Sequence, residues 1–295
     1  MTYKTGIELE VVPTAGSTKS QILARIREAG INISDEGYTH RIMNSWKAVS
    51  DGSLSAGGFE LVSPPMKGMK VIEEQVRKMC DALHGFATVD RRCGMHVHFD
   101  ILGKHHFKRR VDTRTSSGKL RALKNKPAKD FTARLLRNYS YFQPVIDAVL
   151  APSRRNNSYC AYIPDQTIMD LEQIDLWAKD KDNYAHLMYG MSGRYRVINL
   201  SSLENYGTVE FRQHQGTVNA EKILNWVRFC ERIVTRSWDR KYVKWDDCNF
   251  YSMTVDGLMD FLGFGRTSPV RAYFKTRSMH FGFPAISTGI RLGQS

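Results

Sequence analysis

Two histidines placed two residues apart are the clearest chemical feature of the sequence. Residues 93–100 read CGMHVHFD, so His96 and His98 flank a single valine. Side chains alternate between the two faces of a β-strand, which puts both imidazoles on one face and the apolar residues on the other. Imidazole binds metal ions and phosphate, so the pair predicts part of a binding site. Taken alone, the same spacing also fits an incidental pair on a solvent-facing strand.

The same two-residue period recurs in three other β-like segments, where it carries carboxylates. Surface strands often alternate in this way, so each segment alone is weak evidence for a site. Paired in one curved sheet, however, the strands would line a concave face with these groups. Clustered carboxylates repel one another unless one is protonated or a metal ion neutralises them, so we expect a cation there. The segments are residues 6–12 with Glu8 and Glu10, residues 58–63 with Glu60, and residues 207–214 with Glu210, Arg212 and His214 on one face.

Helical patterns separate these strands and predict the layer that supports them. Apolar residues recur there at steps of three and four, which is the period of an amphipathic helix. Polar residues that cap helices stand at two of the expected starts. The predicted helices begin at a cap in residues 17–20 and stop at Gly30, cover residues 66–84 and 128–150, and begin again at Asn219.

Two further strands complete the predicted sheet. A turn at residues 51–53 joins a short strand at 46–49 to the strand that carries the Glu60 carboxylate. A strand at 195–200 leads through a turn around 205–207 into the Glu210 strand. Together the patterns predict an α+β fold, with a curved antiparallel sheet and helices packed on one face.

The length and charge of the chain limit the domain organisation and the partners that are possible. A chain of 295 residues with 42% hydrophobic residues can bury a sizeable core, and we interpret residues 1–295 as a single catalytic domain. That domain would contain a basic insertion at about 103–127 and a helical C-terminal covering at about 219–295. The net charge of +13 predicts attraction to an anion, a requirement that ATP, an acidic substrate and nucleic acid all satisfy.

The cysteines and the N-terminus indicate the compartment. Five cysteines, an odd number without CxxC spacing, argue against a disulfide framework. The start MTYKTGIELE lacks the apolar core of a signal peptide, and no apolar run approaches the length of a membrane span. We therefore expect a cytoplasmic protein without a membrane anchor.

Several motifs follow one another in a fixed order between about residue 3 and residue 226. They read GIELE, DGS, GFELVSPP, CGMHVHFD, SRRNNSYC and YRVINLSSLENYGTVEFRQHQGT. In this order they resemble the predicted amidoligases of the glutamine synthetase and glutamate-cysteine ligase superfamily. The resemblance implies a sheet of the glutamine synthetase catalytic-domain type. It also implies ATP- and metal-dependent condensation of a carboxylate with an amine through an acyl phosphate.

The resemblance also implies roles for individual residues. Two Mg²⁺ or Mn²⁺ ions would be bound, the first by Glu10 and Glu60 and the second by Glu8, His96 and Glu210. The remaining residues would bind substrates or transfer protons. His98 would face the phosphates of ATP, Arg212 would bind the substrate carboxylate or the transferred phosphoryl group, Arg155 and Arg196 would contact ATP, and Asp51 would accept a proton from the attacking amine.

Three other classes of protein stay open at this point. A two-metal nuclease or another phosphoryl-transfer enzyme uses similar ligands and would benefit from the basic insertion. A nucleic-acid-binding protein would account for the positive charge but not for the glutamates on one strand face. A cupin-type iron enzyme also begins with HxH, yet residues 101–104 lack the glutamate that should follow. For a ligase, the acid and the amine stay unidentified, and either could belong to a small molecule, a peptide or a protein.

Overall fold

Nine strands form one open, mixed β-sheet in the part of the chain that the structure describes. The structure is a computed structural model, and it describes residues 3–54, 57–104, 126–167, 191, 193–239 and 252–282. The strand order is β2-β3-β4-β1-β7-β9-β8, with β5 and β6 also paired to β1. The strands are β1 (Lys4–Pro13), β2 (Ile33–Gly37), β3 (Trp46–Ser50), β4 (Phe59–Val62), β5 (Met66–Lys67), β6 (Ala87–Thr88), β7 (Gly94–Asp100), β8 (Ile198–Asn199) and β9 (Thr208–Gln215).

The prediction of a purely antiparallel sheet is wrong for one pair of strands. β2 and β3 run parallel, with Ile33 opposite Trp46, whereas the other named pairs are antiparallel. Beyond Ile33, β2 is polar and largely exposed, so its sequence has no apolar alternation that would identify it as a strand. Residues 38–45 carry the chain back to the end of the sheet where β3 begins.

Ten helices surround the sheet within the same described ranges. The predicted helix over 128–150 is two helices. Pro144 has no backbone N–H to continue the first helix and its ring would clash with the preceding turn, whereas the first turn of the second helix tolerates it. Residues 205–207, expected as a turn, belong to a short helix and its C-cap. The helices are α1 (Lys19–Glu28), α2 (Met69–Leu83), α3 (Ile101–Lys104), α4 (Lys126–Tyr141), α5 (Gln143–Val149), a 3-10 helix (Pro152–Arg154), α6 (Ser201–Tyr206), α7 (Ala220–Trp238), α8 (Val255–Leu262) and α9 (Pro269–Phe281).

Two predicted helix starts are confirmed by their caps. The Thr18 hydroxyl accepts a hydrogen bond from the Gln21 amide, and the Gln21 side chain accepts one from the Thr18 amide at 2.9 Å. At α7 the Asn219 side chain accepts a hydrogen bond from the Lys222 amide at 3.0 Å. Such bonds satisfy backbone donors that have no partner inside the helix, so they fix where each helix begins.

The apolar face of the sheet packs against helices. Ile7 of β1, Val97 of β7 and Phe211 of β9 are fully buried, in one core cluster with Ile72 of α2 and Val227 of α7. Burial of a side chain of this size contributes about 1.5–3 kcal/mol to folding. The alternation predicted for these strands therefore puts one face into a rigid core and leaves the other face free for polar groups.

Pairing registers bring the polar side chains of separate strands next to one another. The first strand of the chain lies in the middle of the sheet, with β4 on one side and β7 on the other. Side chains on directly paired residues lie close enough to interact. The paired residues are Glu10 with Glu60, Glu8 with His96, and His98 with Glu210.

A β-bulge in β9 changes which side chains face the polar side. Met95 pairs with His214 and Val97 pairs with Phe211, so two residues of β9 lie opposite the single residue between them on β7. The extra residue interrupts the alternation of the strand. The prediction that His214 shares a face with Glu210 and Arg212 is therefore wrong. His214 is buried beside Trp226 of α7, with ring centroids 5.3 Å apart.

Two other expectations concern the insertion and the membrane. Most of the predicted basic insertion at 103–127 lies outside the described ranges, because these leave out residues 105–125. Among the helices that the structure describes, none combines the length and the apolar character needed to cross a bilayer.

Candidate metal and active site

The polar face of the sheet lines a cavity of about 500 Å³. Its floor is built by β1, β4, β7 and β9, and residues that precede and form α6 line one side. This cavity is lined by all the metal ligands predicted from the sequence, and also by Asp51, His98 and Arg212. The nominated metal ligands are Glu8, Glu10, Glu60, His96 and Glu210.

His96 lies at the centre of four carboxylates. Its Nδ1 lies 3.0 Å from Glu8 Oε2, 3.6 Å from Glu210 Oε1 and 3.9 Å from Glu60 Oε1. Its Nε2 lies 3.6 Å from Glu10 Oε1. The imidazole is almost entirely buried, so neighbouring carboxylates surround it in place of water. Residues from four strands, β1, β4, β7 and β9, therefore meet at one point, as the sequence alternation predicted.

His98 makes a second contact between the same strands. Its Nε2 lies 3.0 Å from Glu8 Oε1 and 3.9 Å from Glu210 Oε1. Burial would lower the pKa of His98, but the carboxylates of Glu8 and Glu210 outweigh it and raise that pKa to about 9. The protonated ring thus offsets part of the negative charge of the cluster.

The carboxylates of the cluster differ in their affinity for protons. Burial raises the pKa of Glu60 well above its usual range, and repulsion from Glu8 and Glu10 raises it further. Burial acts on Glu8 in the same direction, but attraction to His98 and hydrogen bonds from both histidines lower its pKa well below the usual range. Such a set of groups suits a divalent cation, which would neutralise the repulsion that now favours a proton on Glu60.

Two sets of ligand atoms converge closely enough to hold a metal ion. Within each set the atoms lie within 4.8 Å of one another. Carboxylate oxygens with one imidazole suit Mg²⁺ or Mn²⁺, both of which favour oxygen ligands. Glu8 belongs to both sets and so lies between the two positions. The first set is Glu8, Glu60 and His96, and the second is Glu8, His98 and Glu210.

These sets divide the ligands differently from the division implied by the resemblance. Glu10 is in neither set, and its Oε2 accepts a hydrogen bond from the Gly94 amide at 2.6 Å. A Cβ at Gly94 would lie only 3.0 Å from His96 Nε2, so a larger residue there would crowd the imidazole. His98 lines the cavity and lies among the carboxylates, and its contact with the phosphates of ATP stays a prediction.

Glu210 and Arg212 form an ion pair at the edge of the cluster. Arg212 Nη1 donates to Glu210 Oε1, while Asn199 of β8 donates to Glu210 Oε2 at 2.5 Å. Burial would lower the pKa of Arg212, but Glu210 raises it above the usual range, so the guanidinium stays charged. The arginine thus lies beside both sets of ligands and can contact an anion that binds there.

Two arginines that the sequence assigned to ATP do not line the cavity. Arg155 Nε donates to the Asp147 carbonyl at 3.1 Å, and Arg196 Nη1 donates to the Tyr162 carbonyl at 3.1 Å. Their neighbours Arg154 and Tyr195 line it instead. The motif SRRNNSYC indicated the correct segment, but consecutive arginines point in different directions and spacing alone does not distinguish them.

Other functional candidates at the cavity were not anticipated from the sequence. Arg194 stacks on Tyr195, with the guanidinium 5.0 Å from the ring centroid, and Tyr159 packs edge-on against the same ring. In the structure all three lie outside the strands and helices, and the strand predicted to start at residue 195 is only Ile198–Asn199, so strand alternation did not identify them. They add positive charge and aromatic surface at the mouth of the cavity.

A second cavity adjoins the first at the carboxylate cluster. It has a volume of about 330 Å³ and shares Glu8, Glu60 and His98 with the larger one. Its other walls are less charged and include Ile42 and Val62. The cluster therefore borders two spaces of different character.

The buried imidazole of His214 predicts a pH dependence of stability. Burial lowers the pKa of His214 to about 3. An ordinary unfolded histidine has a pKa of about 6.5, so below that pH the unfolded state binds a proton that the folded state excludes. Stability should therefore fall as the pH drops from 6.5 toward 3, by about 2 kcal/mol at pH 5 relative to pH 8.

Denaturant unfolding of the wild type and of His214→Gln at both pH values measures this effect. We expect the substitution to lower stability at pH 8 and to remove most of the additional loss at pH 5. The exposed His84 provides a matched control, and His84→Gln should keep the pH profile of the wild type. An equal loss at pH 5 in His214→Gln and wild type would contradict the assignment.

Comparison with known proteins places the chain in a family. The sequence model of one family, described as "Putative amidoligase enzyme", matches residues 1–112 and 124–234. The unmatched residues between these ranges fall within the predicted basic insertion. A search of curated proteins gives no match to the chain. Because the family match extends over most of the sequence and includes every strand of the site, the protein belongs to this amidoligase family.

Proposed function

We propose that the protein is an ATP- and Mg²⁺-dependent carboxylate–amine ligase that forms an amide or peptide bond through an acyl phosphate. The observation that carries the proposal is the convergence of four glutamates, two histidines and Arg212 on one face of the sheet. Membership of an amidoligase family supports a ligase rather than another metal-dependent enzyme. The same arrangement supports our proposal that the sheet is of the glutamine synthetase catalytic-domain type.

Divalent ions would be held by the two sets of ligands that share Glu8. When bound, they would neutralise the phosphate charges of ATP and so favour transfer of its terminal phosphoryl group to a carboxylate. Glu8, Glu60 and His96 would hold one ion, and Glu8, His98 and Glu210 the other. Glu10 would lie at the edge of the ion-binding positions, because one of its carboxylate oxygens already accepts a hydrogen bond from the Gly94 amide.

Polar residues around the cluster would bind the substrates. Arg212 would hold the reacting carboxylate or the phosphoryl group, whose negative charge its planar donors match. Asp51 lines the cavity and accepts a hydrogen bond from the Ser53 amide at 2.7 Å, so its carboxylate is oriented to take a proton from the amine. The two adjoining cavities support binding of ATP and a carboxylate from different sides of the cluster.

The cellular setting is also part of the proposal. Cys80, Cys93, Cys160 and Cys230, the cysteines within the described ranges, are free and buried. Free thiols are typical of reducing compartments, which supports a cytoplasmic enzyme.

Neutral, desolvated thiols suit packing, and burial raises the pKa of Cys93 to about 11, so a structural role fits this residue better than nucleophilic attack.

A pooled-substrate assay tests the function. Purified protein is incubated with ATP, Mg²⁺ and a mixture of carboxylates and amines, including short peptides. We expect phosphate release that depends on both substrates and a product whose mass equals the acid plus the amine minus water. Cleavage of DNA or RNA under the same conditions, without any condensation product, would instead support a two-metal nuclease.

A further inference from the structure

The guanidinium of Arg154 is buried beside the cavity. The residue is only 2% exposed, yet no carboxylate of the described residues lies within 4.0 Å of its nitrogens. Arg271, buried to a similar degree, is paired with both Asp256 and Asp260. An unpaired buried charge is costly, and proteins usually compensate it with an ion pair or a ligand. Arg154 therefore lacks the partner that Arg271 has.

The donors of Arg154 are mostly unused. Among the described residues, its side chain donates one hydrogen bond, from Nη2 to the Arg212 carbonyl at 2.6 Å. Its Nε is buried without a partner. A guanidinium carries five N–H groups, so most of those of Arg154 have no acceptor among the residues that the structure describes. A planar group with free donors matches a carboxylate or a phosphoryl group.

Arg154 lies at the cavity, next to the metal-binding residues. It lines the 500 Å³ cavity together with Arg212. A Cβ built on Gly94 would be 3.2 Å from Arg154 Nη2 and 3.0 Å from His96 Nε2, so both side chains approach the same glycine. An anion held by Arg154 would thus lie at one end of the cavity, where β7 begins and β9 ends.

A buried polar cluster holds the backbone around Arg154. Asp147 of α5 accepts hydrogen bonds from Gln143 at 2.8 Å, from Gln213 at 2.7 Å and from the Tyr162 hydroxyl. Gln213 also donates to the Arg154 carbonyl at 3.4 Å. These bonds connect α5, β9 and the segment after the 3-10 helix, so they fix the position of the 3-10 helix that ends at Arg154.

The bulge in β9 makes this connection. It presents Arg212 to the cavity and the next residue, Gln213, to the interior, where Gln213 is fully buried. The side-chain Oε1 of Gln213 accepts a hydrogen bond from the Tyr139 hydroxyl at 2.8 Å, which leaves its side-chain Nε2 to donate to Asp147. β9 thus supplies Arg212 to the cavity and, through Gln213 on its opposite face, supports Arg154.

From these contacts we infer that Arg154 binds an oxyanion of a substrate, a carboxylate or phosphoryl group, and that Gln213 and Asp147 are positioning residues that hold it there. The inference rests on the proposed function for the identity of the substrates but not for the binding site itself. Neither Gln213 nor Asp147 is among the described residues that line the cavity. Gln213 contacts the Arg154 carbonyl, and Asp147 holds Gln213.

Calorimetric titration with two simple anions tests the inference in the presence of Mg²⁺. The probes are inorganic phosphate and succinate, and the variants are Arg154→Gln, Gln213→Met and the double variant. We expect Arg154→Gln to raise the Kd of at least one probe by about tenfold or more, the size of losing a hydrogen bond to a charged group. The probe that is affected identifies the group as phosphoryl or carboxylate.

The double variant separates positioning from general damage. If Gln213 acts through Arg154, Gln213→Met should raise the same Kd in the wild type and change nothing further in Arg154→Gln. Tyr162→Phe, a milder change to the cluster, should shift the Kd in the same direction. Ser237→Ala is the control, because it removes equally buried hydrogen bonds with Ile233 and Asn138 and should leave the Kd unchanged.

Two outcomes would overturn the inference. Unchanged affinity for both probes in Arg154→Gln would remove Arg154 as an anion-binding residue. An equal, additive loss from Gln213→Met in both backgrounds would show that the cluster does not act through Arg154. A protein that binds the probes through Arg154 but forms no amide would contradict the proposed function alone, so the two failures can be told apart.

Discussion

Replacing Glu8 with glutamine should abolish divalent-ion binding at one position or both and reduce turnover by about a thousandfold or more, because metal ions supply several kcal/mol of charge stabilisation in phosphoryl transfer. Glu8 is the residue that both sets of ligand atoms share, and each of its oxygens lies 3.0 Å from an imidazole nitrogen. Glutamine keeps the volume but removes the charge. Calorimetry with Mn²⁺ and steady-state assays measure the two effects.

The fold should survive this substitution. Loss of the Glu8 charge relieves repulsion with Glu60, but it also removes the attraction to His98 that holds the pKa of Glu8 below its usual range. The metal-free protein should therefore lose part of its stability and still fold. Glu28 at the end of α1 is exposed, and Glu28→Gln is a matched control that should bind Mn²⁺ as the wild type does. Wild-type metal stoichiometry and turnover in a folded Glu8→Gln protein would contradict the assignment. Glu210→Gln should affect only the ion held with His98.

Replacing Arg212 with lysine should lower turnover by about a hundredfold while metal affinity stays nearly unchanged, because one preorganised donor to a developing charge is lost. Lysine retains the positive charge beside Glu210 but lacks the planar pair of donors. The Arg212 side chain contacts Glu210 and approaches His96 at 3.5 Å without belonging to either set of metal ligands. Steady-state kinetics and Mn²⁺ titration of the same preparation separate the two effects.

Arg194 is the matched comparison for Arg212. It lines the same cavity, but its guanidinium stacks on Tyr195 at the mouth and donates to the Tyr195 hydroxyl at 2.8 Å. Arg194→Lys should therefore change turnover far less than Arg212→Lys. Equal effects of the two substitutions would mean that both arginines act through the general charge of the cavity. Unaltered turnover in Arg212→Lys would remove it from the catalytic residues.

Much of the sheet and of the site could be predicted because both depend on a two-residue period. Alternation in β1 and β7 determines that Glu8 and His96 face one side while Ile7 and Val97 are buried. No knowledge of the tertiary structure is needed for that inference. Strand pairing then places the polar residues of β1, β4, β7 and β9 together.

The remaining features depend on interactions that a local pattern does not contain. The bulge in β9 arises from pairing with β7, so the sequence of β9 alone gave the wrong face for His214. The division of the carboxylates between two ion positions depends on side-chain distances across strands. The choice between Arg154 and Arg155 depends on hydrogen bonds to the Arg212 and Asp147 carbonyls, which belong to other elements.

The central place of β1 in the sheet has a consequence for the order of folding. β1 starts at Lys4, while β9, two strands away in the sheet, ends at Gln215. Contacts so distant in sequence form slowly, because the entropy of closing a long loop is lost before they stabilise the chain. During synthesis on the ribosome, the pairing of His98 with Glu210 can form only after β9 has been synthesised. Uptake of the second ion should therefore be among the last events of folding, and its rate would report completion of the sheet.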